Sequence, residues 1–168
     1  VSYLVDGVSV NNPLSGNASA AFNNINQNAI EELQIQTGGF NAEYGSAMSG
    51  VINLNTKQGS SKYTAAAEII TDHYQKTKVG NTSTFGQSIY TFAFGGPVIP
   101  DDNMVTFYLT GERQYLTDND PRAIGGFKAN STTKSWNWNG KLVFRPISTL
   151  DVKVGGMIYD RSGSNWDN

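Results

Sequence analysis

Several features that would assign a function quickly are missing from this chain of 168 residues. It contains no cysteine, which excludes disulfide frameworks and thiolate metal sites. Its one histidine, His73, has no partner at metal-ligand spacing, so we interpret it as a solvated loop residue. The net charge of −2 offers no basic surface for nucleic acid. No apolar run reaches the roughly 18 to 20 residues of a membrane helix, although barrel strands would escape such a search because their faces alternate.

Patterns that support catalysis are also missing. The adjacent carboxylates Glu31–Glu32 and Asp101–Asp102 would point to opposite faces of a strand, so neither pair converges on a substrate as acid and base. The serines lie in Gly- and Asn-rich stretches without a neighbouring base, and the sequence has no nucleophile elbow, phosphate loop or zinc signature. We therefore predict that the chain is not an enzyme and has no catalytic residue, metal site or cofactor.

The stretch from Ile30 to Lys57 is the one around which the rest of the chain is organised. Apolar and polar residues alternate at both of its ends, with one slip in the alternation at Glu31–Glu32. Glycines and small residues lie between these ends, so the pattern predicts a strand, a tight glycine-bearing connection and a second strand. Upstream, Asp6–Gly7 predicts a two-residue hairpin turn. Residues 11–28 predict a loop with a short helical turn near residues 18–22.

From Lys62 onward, five segments alternate with period 2, each close to the roughly 9 to 11 residues of a tilted barrel strand. They lie near residues 63–72, 87–94, 105–112, 136–145 and 150–158. The fourth segment alternates most cleanly, with Trp136, Trp138, Leu142 and Phe144 opposite Asn137, Asn139, Lys141 and Arg145. Long connections (72–85 and 116–134) alternate with short ones (96–103 and 146–149). This alternation is typical of outer-membrane barrels, which have extended external loops and tight periplasmic turns.

The hairpin segment around Asp6–Gly7 and the stretch from Ile30 to Lys57 resemble the plug domain of TonB-dependent outer-membrane receptors. The matching positions are Leu4–Val8, Ile30–Glu31, Leu33–Ile35, Gly38, Tyr44–Gly45, Gly50–Leu54 and Thr56–Lys57. The variant from Thr37 to Gly45 is most similar to the Oar-like branch of the family. Many relatives carry an arginine before the first glycine, and that arginine is thought to lock the plug to the barrel wall. Here the position holds Thr37, so the resemblance does not extend to that lock.

The resemblance implies a mainly β chain with two parts. Residues 1–58 would be the C-terminal part of a small mixed α+β plug domain, and residues 59–168 about the first five antiparallel strands of a large transmembrane β-barrel. Because such a barrel has about 22 strands, we expect the chain to be a fragment. The resemblance also implies location in the outer membrane of a Gram-negative bacterium and energised uptake of an unidentified substrate.

The same resemblance implies partners. They are the lipid bilayer, the rest of the barrel, and the TonB energy-transducing complex, which would bind a segment outside this chain. A surface lipoprotein is left open as a further partner, and no nucleic acid is expected.

Two groups of plug residues are candidate functional positions. We expect a structural role for Gly38, Gly39, Gly45, Gly50, Asn53 and Thr56, with the glycines serving backbone turns and close packing against a wall. We expect Phe40, Asn41 and Tyr44 to be exposed on the plug connection, where aromatic rings and an amide suit sugar or peptide ligands. The alternative is a soluble all-β module that binds carbohydrate or peptide. It predicts that the face containing Trp136 and Trp138 packs inside a two-sheet core.

Overall fold

The computed structural model describes residues 1–19, 22, 24–38, 50–72, 86–117, 132–147 and 149–163, which form two sheets. The small sheet consists of β1 (Ser2–Val5), β2 (Val8–Ser9), β3 (Ile30–Gln36) and β4 (Val51–Thr56), in the order β2-β1-β4-β3. The large sheet is an antiparallel meander of β5 (Thr64–Thr71), β6 (Gln87–Ile99), β7 (Asp102–Leu116), β8 (Thr133–Ile147) and β9 (Leu150–Gly163). Among the described residues, no helix is long and apolar enough to cross a membrane.

The small sheet begins with the predicted hairpin. Asp6 (φ 50°) and Gly7 (φ 82°) both have left-handed backbone, as the commonest two-residue hairpin turn requires. β1 then pairs in parallel with β4, which places Leu4 beside Asn53, and β3 pairs with the other edge of β4. The register of β3 shifts between Ile30 and Glu32. The slip in the sequence alternation is therefore a β-bulge, in which one extra residue stays unpaired.

The connection between β3 and β4 differs from the prediction. It runs from residue 37 to residue 50, so it is longer than a tight turn, and residues 39–49 lie outside the described part of the chain. A 3-10 helix at Gln27–Ala29, which the sequence did not predict, precedes β3. Asn26 caps this helix, because its side chain accepts a hydrogen bond from the backbone N–H of Asn28 at 2.7 Å. Of the segment 18–22, where the sequence predicted a helical turn, residues 20 and 21 lie outside the described residues, Ala18 forms an antiparallel bridge with Asn11, and residue 22 is helical.

All five predicted strands of the large sheet are present, and four of them are longer than the sequence suggested. Gly96–Pro97 belongs to β6 and Pro146–Ile147 to β8, where the sequence predicted connections. Both prolines lie at register shifts, between Pro97 and Ile99 and between Phe144 and Ile147. Proline has no N–H for the ladder, and sheets tolerate it at such irregularities. The connection from β6 to β7 is thereby reduced to two residues.

The two faces of the large sheet differ in chemistry. The outer face exposes large apolar side chains: Tyr90, Phe92, Phe94, Leu109, Trp136, Trp138, Leu142, Phe144, Val152, Val154 and Ile158. The inner face lies against the small sheet and buries mostly polar side chains: Thr91, Thr106, Thr110, Asn137 and Lys141, with Ala93 and Val143. Trp136 and Trp138 remain 42% and 37% exposed. The two-sheet core expected from the soluble alternative is therefore wrong for this face.

Candidate functional site: the contact between the two sheets

The centre of the contact between the sheets is an ion pair that spans most of the sequence. Lys141 on β8 directs its Nζ toward the hairpin of the small sheet, where it donates to Asp6 Oδ1 at 2.7 Å. The same ammonium donates to the backbone oxygen of Thr56 at 2.9 Å and to Thr56 Oγ1 at 3.1 Å. Thr56 in turn donates its N–H to Asp6 Oδ1 (3.0 Å) and its hydroxyl to Asp6 Oδ2 (2.6 Å). We call Asp6, Thr56 and Lys141 the latch.

Local structure explains why these three side chains meet. The hairpin turn holds Asp6 at the end of β1, and Thr56 ends the parallel partner strand β4, so both lie at one end of the small sheet. Lys141 lies on the inner face of β8 because that strand alternates its side chains between the two faces. Its side chain is only 8% exposed, whereas that of Asp6 is 28% exposed. A nearly buried ammonium needs such acceptors, since an unpaired buried charge is costly.

The latch also sets the ionisation of Asp6. Burial by itself raises the pKa of the Asp6 carboxyl. The hydrogen bonds from Lys141 and Thr56, together with the charge of Lys141, outweigh this effect and hold the pKa below its ordinary value of 3.8. Asp6 is therefore ionised at neutral pH, and the latch is a true ion pair.

Further polar contacts extend the latch along the inner face. Tyr108 donates its hydroxyl to the backbone oxygen of Asn28 at 3.1 Å, and Asn26 donates from its side chain to Glu112 at 3.3 Å. Two more hydrogen bonds cross the same face: the side-chain amide of Asn137 donates to the backbone oxygen of Asn24, and the guanidinium of Arg145 donates to the side-chain oxygen of Gln58. Gly59 also lies against the backbone of Phe107. The small sheet and the segments that flank it are thus held to the large sheet at several points, mostly by hydrogen bonds.

A cavity of about 520 Å³ opens beside the latch, between the hairpin and strands β8 and β9. Val5 and Val8 line it from the small sheet, and Lys153, Gly155 and Met157 from β9. Gly155 leaves space because it carries no side chain on the inner face next to Lys141, its partner in register. Among the described residues no group of three or more histidine or acidic side chains could hold a metal ion.

The structure places only part of the predicted site. Thr56 lies in the latch, and Asn53 accepts a hydrogen bond from the N–H of Gly7 at 3.3 Å, so both residues hold the hairpin. A Cβ on Gly50 would lie 3.3 Å from the backbone oxygen of Gln36, whereas Gly38 has no atom within 4 Å of that position. Gly50 therefore packs closely against strand β3 of its own sheet, and the packing of these glycines against a wall stays a prediction. The remaining predicted residues, Gly39, Phe40, Asn41, Tyr44 and Gly45, lie outside the described part of the chain.

Sequence reasoning missed two members of the latch. Asp6 had a sufficient local explanation as a turn residue, and Lys141 as one of several polar residues on a strand. The one available signal was the alternation of side chains along β8, which placed Lys141 on the face opposite the tryptophans. Thr37 is exposed and follows β3 at the edge of the small sheet.

Comparisons with known proteins match both sheets. Residues 1–51 match the family model of the TonB-dependent Receptor Plug Domain. Over 62 residues the chain is 39% identical to the TonB-dependent transporter Oar of Myxococcus xanthus, covering 36% of this chain and 6% of that protein. The crystal structure of the siderophore receptor PirA from Acinetobacter baumannii matches 97% of this chain and 24% of its own, with a TM-score of 0.63 and 20% identity.

A second solved receptor gives the same result. The ferric enterobactin receptor PfeA from Pseudomonas aeruginosa, solved as a mutant with enterobactin, matches 95% of this chain with a TM-score of 0.56 and 17% identity. This chain spans 25% of that receptor's length. At these identities the solved receptors establish the fold, and they confirm the predicted mainly β class with strands like those of a receptor barrel.

Proposed function

We propose, from the premise that this chain is part of a TonB-dependent outer-membrane receptor, that it supplies a gate and the adjoining piece of wall. Residues 1–58 would be the latter part of the plug, and residues 59–168 about the first five strands of the barrel. The complete receptor would take up an unidentified substrate across the outer membrane with energy delivered through TonB. The observation that carries this proposal is a sheet with an apolar outer face whose polar inner face is latched to the plug.

In this proposal the latch keeps the plug in its closed position. TonB would pair, as an added strand, with a segment of the receptor outside this chain and pull on the plug. The contacts of Asp6 and Lys141 would then break, and the cavity beside them would widen into part of the passage. Barrel strands not included here would complete the wall around the plug. A surface lipoprotein partner stays a prediction.

We assign the first contact with substrate to the plug connection that contains Phe40, Asn41 and Tyr44. Aromatic rings with a neighbouring amide suit sugar or peptide groups, which stack on rings and exchange hydrogen bonds with amides. This assignment is independent of the latch. A receptor can lose affinity for its substrate through Phe40 while its plug still moves.

The gating role is tested with a cysteine placed at a buried position between the plug and the large sheet. Ala29 is 2% exposed, and it lies in the short helix next to the wall residue Tyr108. In the full-length receptor, made free of other reactive cysteines, Ala29→Cys is expected to react with a maleimide in energised cells. Reactivity should fall several-fold when TonB is deleted or the proton gradient is collapsed. Leu14→Cys, at a position 97% exposed, is the control that should react in every case. Equal labelling of Ala29→Cys with and without TonB would rule out the gating role.

A further inference from the structure

The outer face of the large sheet carries very few charges, and those it carries lie at one end. Among the described residues of the paired strands, its ionic side chains are Arg113 on β7, Lys134 on β8 and Asp160 on β9. All three lie toward the end where β5 connects to β6 and β7 to β8 by long segments. We call this the long-connection end. In outer-membrane barrels the long connections face the cell exterior.

Both cations at this end rest on aromatic rings. The guanidinium carbon of Arg113 lies 5.1 Å from the centre of the Trp136 ring, and Nζ of Lys134 lies 5.8 Å from the centre of the Tyr115 ring. Each cation is the direct cross-strand neighbour of its ring, so the four side chains form one patch on β7 and β8. Tyr90 lies opposite Arg113 on the other side. We call Arg113, Tyr115, Lys134 and Trp136 the basic-aromatic patch.

The patch lacks a counter-anion within the described residues. Neither Arg113 nor Lys134 forms a salt bridge there, and both side chains are exposed. Asp160 on β9 is the cross-strand neighbour of Trp136, so strand β8 lies between the outward carboxylate of Asp160 and the guanidinium of Arg113. An aromatic face attracts a cation but leaves its charge unneutralised. A patch of this kind at the edge of an apolar surface fits an anion supplied from outside the protein.

The surroundings indicate which anion fits. Directly along the strands toward the short-turn end, the outer face is apolar, with Phe92 and Trp138 in edge-to-face contact at 5.3 Å and Ile158 beside them. A ligand that occupies the patch therefore has acyl-chain surface on one side and water on the other. Arginine binds phosphate through two parallel hydrogen bonds, and lysine adds a second positive charge. A lipid phosphate satisfies both requirements, whereas free phosphate would leave the apolar rows uncovered.

We propose that the basic-aromatic patch binds the phosphate group of a lipid in the outer leaflet, with the lipid's acyl chains lying on the Phe92–Trp138 row. This site lies on the side of the wall facing away from the plug, so it does not depend on the gating role proposed above. It requires only that the outer face of the sheet contacts the bilayer. The bound lipid would fix the depth of these strands in the membrane, since the patch marks the level of the phosphates.

The test measures which lipid lies next to Trp136. The full-length receptor is reconstituted in phosphatidylcholine vesicles that contain a small fraction of either brominated phosphatidic acid or brominated phosphatidylcholine. Bromine quenches nearby tryptophan fluorescence, and the contribution of Trp136 is the difference between the wild type and Trp136→Phe. We expect the brominated acidic lipid to be enriched at Trp136, by about fivefold for each of the two basic charges. Equal quenching by the two lipids in the wild type would overturn the proposal.

Matched variants separate the patch from general attraction to a charged membrane. Arg113→Gln combined with Lys134→Gln should remove the enrichment. Lys153→Gln, which removes one charge from the inner face, should retain it. Enrichment that survives in the double variant, or that Lys153→Gln also abolishes, would refute a site at the patch. If the double variant does not fold, the wild type still provides a test, because 1 M salt shortens the screening length to about 3 Å and should reduce the enrichment. Loss of the enrichment on adding inorganic phosphate would assign the patch to free phosphate and contradict the lipid.

Discussion

Replacing Asp6 by asparagine is the sharpest perturbation of the latch. Asparagine has nearly the same shape and also tolerates the left-handed backbone that this turn position requires, so the hairpin itself is preserved. The substitution removes the negative charge and replaces one of the two acceptor oxygens by an NH2 donor, which leaves the ammonium of Lys141 facing only neutral oxygens. Breaking a fully buried pair from one side costs roughly 3 to 5 kcal/mol. Because Asp6 is 28% exposed and water can partly replace it, we expect about 2 kcal/mol here.

The converse substitution should cost less. Lys141→Met removes the buried charge and keeps most of the apolar stem. Asp6 then retains the N–H and hydroxyl of Thr56 as partners and has access to solvent, so its charge is not stranded. We expect a loss of about 1 kcal/mol, near that of an ordinary hydrogen bond. The structure thus predicts an order of effects, with Asp6→Asn more damaging than Lys141→Met.

Hydrogen exchange in the full-length receptor measures this locally, without unfolding the barrel. The amides of Ser2 and Val10 report on the hairpin region, because they bond to the backbone oxygens of Gly50 and Tyr3. A loss of about 2 kcal/mol corresponds to exchange that is roughly 30-fold faster through local opening. Unchanged exchange in Asp6→Asn, or faster exchange in Lys141→Met than in Asp6→Asn, would refute the reasoning.

Three further predictions concern the latch, the segment that follows β4 and the plug connection. Because folding lowers the pKa of Asp6, the stability that its carboxylate contributes is complete above the ordinary pKa of 3.8 and is lost as the pH falls through the lower pKa of the folded state. Hydrogen exchange, corrected for its intrinsic rate, should therefore accelerate as the pH falls through this range in the wild type and not in Asp6→Asn. Gly59→Ala should destabilise the contact between the segment after β4 and strand β7 by about 1 to 3 kcal/mol, because a Cβ at this position would clash with the Phe107 backbone oxygen, and a matched thermal melt of Gly38→Ala should show little change. Phe40→Ala should weaken binding of a sugar or peptide substrate by about 0.5 to 1.5 kcal/mol in a titration, and unchanged affinity would contradict its assignment to the ligand site.

Much of the fold could be predicted because its strands follow local rules. The hairpin at Asp6–Gly7 and the bulge after Ile30 each left a signal in a few adjacent residues. The ends of the long strands were harder to predict, because Pro97 and Pro146 carry the composition of turns. Their acceptance depends on the register shifts between neighbouring strands, and a shift becomes apparent only once the pairing of the two strands is known. The sequence predicted both prolines in connections, whereas the structure places them inside β6 and β8.

The latch could not be predicted from local pattern, because its partners lie 135 residues apart. Nothing near Asp6 distinguishes a turn aspartate that binds the wall from one that faces solvent. The alternation of side chains along β8 did predict that Lys141 lies on the face opposite the tryptophans, and this much is confirmed. Knowing which inner-face residue meets the hairpin requires the relative placement of the two sheets.

The gating proposal requires the small sheet to move against the large sheet, and the chemistry of the contact between the two sheets suits such a movement. An apolar interface of the same size would expose hydrophobic surface on opening, at about 25 cal/mol for each Å². The described contacts are instead hydrogen bonds and an ion pair, which water can replace on both partners, so each adds only about 0.5 to 1.5 kcal/mol net. Several such bonds hold the plug firmly when they act together, yet they can be broken one after another under a pulling force. Among the described contacts between the sheets, the ion pair of Asp6 and Lys141 is the one between two charged groups, and it holds the hairpin of the small sheet against β8.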